Sequence, residues 1–301
     1  SVTLPSMFPS ILKRRWIFML CASLLSSQPS GAVDQLSIRG SVVAAEPVNA
    51  AAWQAKKEID VEFRVVTEGG NAAAIAAVGG DVADVALTSR KVSPRENATW
   101  AARPFVQSQM GMQALLVVVP DQVWNAGVRA LTQEQLRGVY EGTVKNWKEV
   151  GGDDRKLVFY NRDVSGSVWE LFMIFLYEDT RQAPMSKGEI IMDAADVAAS
   201  VEFNAGSVSV LEFSAFKGGR LHALGIRLPD GSVVEPTAEN VATGRYPICR
   251  PLMIVTSRKP AGVLRRFVEF MLGPVGQSFV KKTGHIPNAE LVTDKLPAVP
   301  R

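Results

Sequence analysis

Three short loops of small residues carry most of the chemistry in this chain. Gly40-Ser41 follows the run LSIR, Gly69-Gly70-Asn71 follows FRVVTE, and Asp163-Val164-Ser165-Gly166-Ser167 follows LVFYNR. Each leads from a strand-like run into a helix-like stretch. A helix start exposes unpaired N–H groups and a partial positive charge, so it holds an anion without needing a lysine. Small side chains let the anion approach the backbone, and Ser or Asn adds donors. Taken singly, each loop is an ordinary helix cap. Together they make a binding site if the fold turns them toward one cleft, as loops at the carboxyl ends of strands do in open α/β sheets.

Arg162, directly before the third of these loops, and Arg90, which ends DVALTSR, are the nearest cations. A guanidinium fork suits a tetrahedral oxyanion, although each arginine also reads as a surface ion-pair residue. Asp163 has two readings. It accepts the proton that phosphate keeps at neutral pH and thereby repels fully deprotonated sulfate, or it caps its helix and pairs with Arg162.

Other chemistries lack their residues. There is no Gly-x-Ser-x-Gly elbow, no P-loop, no Gly-x-Gly-x-x-Gly, no Cys-x-x-Cys and no His-Glu-x-x-His. The two histidines, His222 and His285, are far apart in sequence, and His285, after Gly284, reads as a capping or surface residue. Trp169, Phe172 and Leu176 fall at the spacing of one buried helix face. A non-enzymatic protein without metal or cofactor is expected.

With 301 residues, 47% of them hydrophobic, the chain is neither disordered nor a disulfide-stapled miniature. It suits one large α/β fold or two lobes. Its 33 basic and 30 acidic residues become balanced once residues 1–32 are set aside, because Lys13, Arg14 and Arg15 lie there with no acid. That balance gives no reason to expect nucleic acid as a partner. The basic cluster, the apolar run WIFMLCASLL and the small residues Ser30 and Ala32 form the three-part secretory pattern, with cleavage expected after Ala32. Residues 1–6, ahead of Met7, are consistent with an upstream extension. Past the cleavage point only Cys249 remains, so no internal disulfide forms and Cys249 reads as a buried small hydrophobe.

Strand-like and helix-like runs alternate behind that segment. LSIRGS, VEFRVVT and DVALT read as strands around the helices VNAAAWQAKKE and AAAIAAV, a rhythm that predicts a largely parallel sheet. ALLVVVP and PLMIVT are continuous apolar strands that bracket a central block. One lobe is therefore expected inside the other: lobe 1 from 33–116 and 254–301, lobe 2 from 117–253, with two crossover strands between them. TQEQLRGVYEG, VWELFMIFLYE, ADVAASVEFN, VLRRFVEFML and VGQSFVKKT read as helices.

The block LTQEQLRGVYEGTVKNWKEVGGDDRKLVFYNRDVSGS resembles the middle of the phosphate-binding proteins that feed Pst-type ABC transporters. EPTAENVATGRYPICRPLMIVT resembles the return crossing of that family, and FVEFMLGPVGQSFVKKTGHIPN its C-terminal helix pair. The resemblance implies a two-lobed class II periplasmic-binding-protein fold and an exported, monomeric, periplasmic receptor that hands inorganic phosphate to ABC transporter permease subunits. Another oxyanion, such as tungstate or sulfate, or a ligand-free sensor or scaffold of the same fold, is the alternative. It implies Ser41 and Val42 at a first phosphate loop, Asn71 at a second, Ser89 and Arg90 at a third, and Arg162, Asp163, Ser165, Gly166 and Ser167 at a fourth. Asn71 stands where the family usually has serine, Ser167 where it has threonine, and Arg162 one residue closer to the acid than in many members.

Overall fold

The structure, a computed structural model, describes residues 34–291. The predicted targeting segment and its cleavage point lie outside the described residues. Strand β1 (Asp34–Gly40), helix α1 (Val42–Ile59), strand β2 (Val61–Val66), helix α2 (Gly70–Gly79) and strand β3 (Val85–Thr88) alternate as the apolar runs predict. β1 lies parallel to both β2 and β3. After α3 (Pro94–Thr99) comes β4 (Val106–Pro120), 15 residues long and already well formed before the predicted start at Ala114.

The central block holds α4 (Asp121–Asn125), β5 (Ala130–Thr132), α5 (Gln133–Glu141), β6 (Val158–Arg162), α6 (Ser167–Tyr177), β7 (Glu189–Ile191), α7 (Ala194–Phe203), β8 (Ser207–Glu212), β9 (Leu221–Arg227), β10 (Val233–Val234) and α8 (Ala238–Ala242). The chain then returns through β11 (Cys249–Thr256) and closes with α9 (Gly262–Leu272), α10 (Pro274–Lys282), β12 (Ile286–Pro287) and α11 (Asn288–Leu291). The main strand order is β2-β1-β3-β11-β4-β8-β6-β7.

This sheet is mixed, which corrects the expectation of a largely parallel one. β11 runs antiparallel to β3 and β4, and β4 antiparallel to β8 and β9. Parallel pairing is kept on the flanks, where helices supply the crossovers. β4 serves two apolar clusters. Its residues 106–114 face β11, whereas Leu115–Val118 pair with β8 and Val117–Pro120 with β9. Met110 packs with Leu36, Ile38, Leu252 and Phe267, while Met112 and Val117 pack with Trp147, Phe172 and Val210. Helix α9 shows the local logic: Leu264, Phe267, Val268 and Met271, spaced three and four apart, form one buried stripe.

The block that carries the family resemblance is pinned from inside. Asn146 caps a one-turn helix at Trp147–Val150 and shares a capping box with Glu149. Trp147 is fully buried and donates its Nε1–H to the Gly206 carbonyl at 2.8 Å. That bond fixes the turn against the start of β8, where Val158 N–H of β6 donates to the same carbonyl at 3.0 Å, and so sets where β6 begins.

Candidate functional site

The turn from β1 into α1 is held by contact with β3. A Cβ at Gly40 would stand 2.7 Å from both the Cβ and the carbonyl oxygen of Leu87, so only glycine fits there. Ser41 donates its N–H to that same carbonyl at 2.9 Å, while its hydroxyl caps α1 by accepting from Ala44 N–H. At the second loop Gly69 and Gly70 take φ of +83° and +60°, a left-handed approach that turns α2 back over the strand ends. Asn71, one residue on, ties this loop to the next: its Oδ1 accepts from Ser89 N–H at 2.8 Å and its Nδ2 donates to Ser89 Oγ at 3.1 Å. Ser89 is itself buried.

These turns meet the start of α6. Ser41, Val42, Asn71, Ser165, Gly166 and Ser167 line one cleft of about 320 Å³, together with Thr67, Thr180, Trp169 and Glu170. The first turns of α1, α2 and α6 thus open on the same space, each with N–H groups that have no acceptor inside the helix. Hydroxyls of both threonines, Ser41 and Ser167 add further donors. A larger hollow of about 510 Å³ beside β1 and β2 contains none of these loops.

The other four sequence-predicted residues do not line the cleft. Ser89 sits behind Asn71. Arg90 is engaged by Glu96 through two bonds of 2.8 Å, and that pairing holds the Glu96 carboxyl well down, at about 2. Arg162 is buried and forks onto Glu212, with its second nitrogen also near the Met192 carbonyl. Asp163 accepts from Ser165 N–H at 3.0 Å and from Ser165 Oγ at 2.8 Å, and those bonds lower its pKa. These bonds close a turn within the loop ahead of α6, whose N-cap is Gly166 without a side-chain cap bond, and Ser165 spends its backbone and side-chain donors on Asp163.

Residues 26–275 match the family model of a PBP superfamily domain. The chain belongs to the PBP superfamily. It is 28% identical over 262 residues to the phosphate-binding protein PstS of Bacillus subtilis, which covers 86% of this chain and 83% of that protein. The phosphate-binding protein PstS of Borreliella burgdorferi is 23% identical over 277 residues, 90% of this chain and 96% of its own. Among solved structures, a possible phosphate binding protein from Planctomyces limnophilus superposes with a TM-score of 0.73 at 21% identity, over 86% of this chain and 96% of the other. That likeness shows the fold.

In this PBP-superfamily chain the charged groups nearest the cleft are ones the sequence motifs did not single out. Glu170, one turn into α6, lines the cleft and receives Arg250 Nη2 at 2.8 Å. Arg250, buried on β11, also donates to the Ser167 carbonyl at 3.3 Å and, through Nε, to Gln113 Oε1 at 2.8 Å. Gln113 of β4 in turn donates Nε2 to Ser167 Oγ at 3.1 Å. A buried arginine in YPICRPLM and a glutamine inside an apolar strand were the available signals, since a buried polar group must find a partner.

Two further readings change. His285 is almost fully buried rather than exposed; its backbone N–H caps the end of α10 on the Val280 carbonyl at 3.1 Å, and the left-handed turn at Gly284 sends the chain inward to β12. Trp169 is only half-buried; it donates Nε1–H to Tyr140 Oη at 3.2 Å and presents part of its ring to the cleft, while Phe172 and Leu176 keep the buried face. Cys249 is half-buried, its thiol pushed up to about 11 by desolvation and bonded to the Tyr246 carbonyl. Among the described residues no group of three His, Cys, Asp or Glu side chains could hold a metal ion.

Proposed function

We propose that this chain is an exported, non-enzymatic substrate-binding protein that captures inorganic phosphate in the cleft and delivers it to an ABC importer. The observation that carries this reading is the convergence of three helix starts and their hydroxyls on one cleft. Such a lining offers many neutral donors to a small tetrahedral anion. The curated relatives named as phosphate-binding proteins support the choice of anion. Among the described residues no helix is long and apolar enough to cross a membrane, and the secretory pattern of residues 1–32 supports export.

The proposal takes the two lobes, 33–116 with 254–301 and 117–253, as bodies that close over the ligand about β4 and β11, working as a monomer with permease subunits as partners. The change of core along β4 motivates those boundaries. A second reading has one observation behind it: Arg90 and Arg162 are each ion-paired to an internal carboxylate and Asp163 is bonded to Ser165, as in a scaffold that needs no ligand. Calorimetric titration of residues 33–301 with phosphate, sulfate, tungstate and arsenate separates the readings. Phosphate binding in preference to sulfate supports the receptor, and heat from none of the four supports the scaffold.

A further inference from the structure

Strands β4 and β11 meet the start of α6 through a pair of side chains. Gln113 of β4 and Arg250 of β11 stand directly opposite each other in the antiparallel register, so both project from the same face of the sheet. Both are buried, and buried polar groups spend their donors and acceptors on partners. Arg250 Nε donates to Gln113 Oε1 at 2.8 Å, while its Nη2 reaches Glu170 Oε2 at 2.8 Å and the Ser167 carbonyl at 3.3 Å.

These bonds remove a freedom that a side-chain amide ordinarily has. A glutamine can exchange the places of its oxygen and nitrogen, but a guanidinium is donor-only, and the flipped amide would set N–H against N–H. The Gln113 oxygen therefore faces Arg250, and its amide nitrogen faces Ser167, 3.1 Å from Oγ. The Ser167 hydroxyl is the acceptor of that bond. Its single proton must point away from Gln113, and the cleft that Ser167 lines can offer it a ligand oxygen.

We propose that Gln113, aimed by Arg250, is a positioning residue that makes the Ser167 hydroxyl a donor to an anion in the cleft. The hydroxyl is then matched to an unprotonated ligand oxygen, the better acceptor. This inference deepens the phosphate reading above and rests on it. Glu46 of α1 is a carboxyl that competes for the same proton; burial raises its pKa to about 7 against the pull of Ser167 and Arg250. At pH 6 Glu46 mostly holds a proton of its own, and the competition is weak.

The test is the phosphate dissociation constant at pH 6 for the wild-type chain, Gln113→Glu, Ser167→Ala and the double variant. Glutamate has the shape of glutamine and keeps an oxygen for Arg250, so a purely structural Gln113 tolerates the change. It cannot donate to Ser167, and its second oxygen takes the hydroxyl proton instead. Gln113→Glu is expected to weaken phosphate binding about tenfold more in the wild-type chain than in the Ser167→Ala background, the worth of one hydrogen bond. A loss no larger than in that background reports the added charge alone; it overturns this inference and leaves the phosphate reading standing. No phosphate binding by the wild-type chain overturns that reading and this one with it. Neutron diffraction from the phosphate-bound wild-type protein needs no variant to fold. A Gln113 amide deuterium on Ser167 with the hydroxyl deuterium on a phosphate oxygen supports the arrangement, and a hydroxyl deuterium on Gln113 or Glu46 overturns it.

Discussion

Arg162 and Glu212 face each other as a two-pronged ion pair, Nη1 to Oε2 at 2.7 Å and Nη2 to Oε1 at 3.2 Å, with the arginine side chain only 7% exposed. Arg162 Nε has no hydrogen-bond partner among the described residues. This geometry belongs to a strut between β6 and β8. Arg162→Ala leaves Glu212 without its counter-ion in a poorly solvated place, at a cost of about 3 kcal/mol. Urea denaturation should show that loss, and Arg162→Met with Glu212→Leu should recover most of it. A larger effect on phosphate affinity than on stability would contradict the strut.

Asp163→Asn removes the charge from the fourth loop while keeping an oxygen for Ser165 N–H. Because Asp163 lies outside the cleft lining, the ratio of phosphate to sulfate affinity is expected to stay constant. The Asp163 carboxyl is held below its ordinary range by Ser165, so its contribution to stability is present above the unfolded pKa and fades as pH falls through the folded one. The variant should therefore lower the melting temperature at neutral pH and converge with wild type in acid.

Under the proposed function, discrimination against sulfate is expected of Glu170, the acid that does line the cleft. Glu170→Gln removes repulsion toward a fully deprotonated anion and the acceptor for a protonated one. Paired titrations should find the phosphate-to-sulfate preference reduced by about tenfold, the worth of one hydrogen bond.

Gly40→Ala tests how the first loop is held. The added methyl meets backbone as well as side chain of Leu87, so it cannot be relieved by a rotamer change. A loss of about 1–3 kcal/mol in thermal unfolding is expected, with weaker phosphate binding because the Ser41 contact to Leu87 lengthens.

Glu46 and His285 make opposing contributions to the pH profile of stability. A folded-state carboxyl raised to about 7 takes up protons on folding between 4.5 and 7, so its contribution falls as pH rises through that window. A histidine lowered to about 4 sheds protons on folding between 4 and 6.5, so its contribution rises with pH there. The two slopes offset each other between about 4.5 and 6.5 in the wild type. His285→Gln leaves the falling slope alone, and stability relative to wild type should decline by about 1 kcal/mol per pH unit across that window. Denaturant midpoints at four pH values suffice to check it.

Local pattern carried most of the elements into view. The strand and helix runs from Leu36 to Thr88, and the helices from Thr132 to Asn204, announced themselves by apolar period. Boundaries were lost where tertiary contacts overrode local signals. The helix read from the sequence as VNAAAWQAKKE starts at Val48, yet α1 begins at Val42, because Ser41 caps it and Pro47 is accommodated inside it. Gln107, Gln109 and Gly111 interrupt the apolar pattern of β4, and their places are set by β11 across the sheet. In the site, the loops were legible because small residues at helix starts have a local signature. Glu46, Gln113, Glu170 and Arg250 have none; they become a set only when α1, β4, α6 and β11 are brought side by side.

The division of core along β4 also dictates when the molecule can fold. Leu36, Ile38 and Met110 pack against Leu252, Phe267 and Met271, so this cluster draws on both extremities of the described chain. The Val106–Ala114 half of β4 likewise waits for a partner strand more than a hundred residues later. A chain still emerging from the ribosome therefore holds the central cluster's buried residues, all but Ile286, well before the outer cluster has its second half. The high sequence separation of these contacts makes completion slow. The early product keeps β3 and the first half of β4 without their β11 partner until Cys249–Thr256 have been made, a state that aggregation threatens.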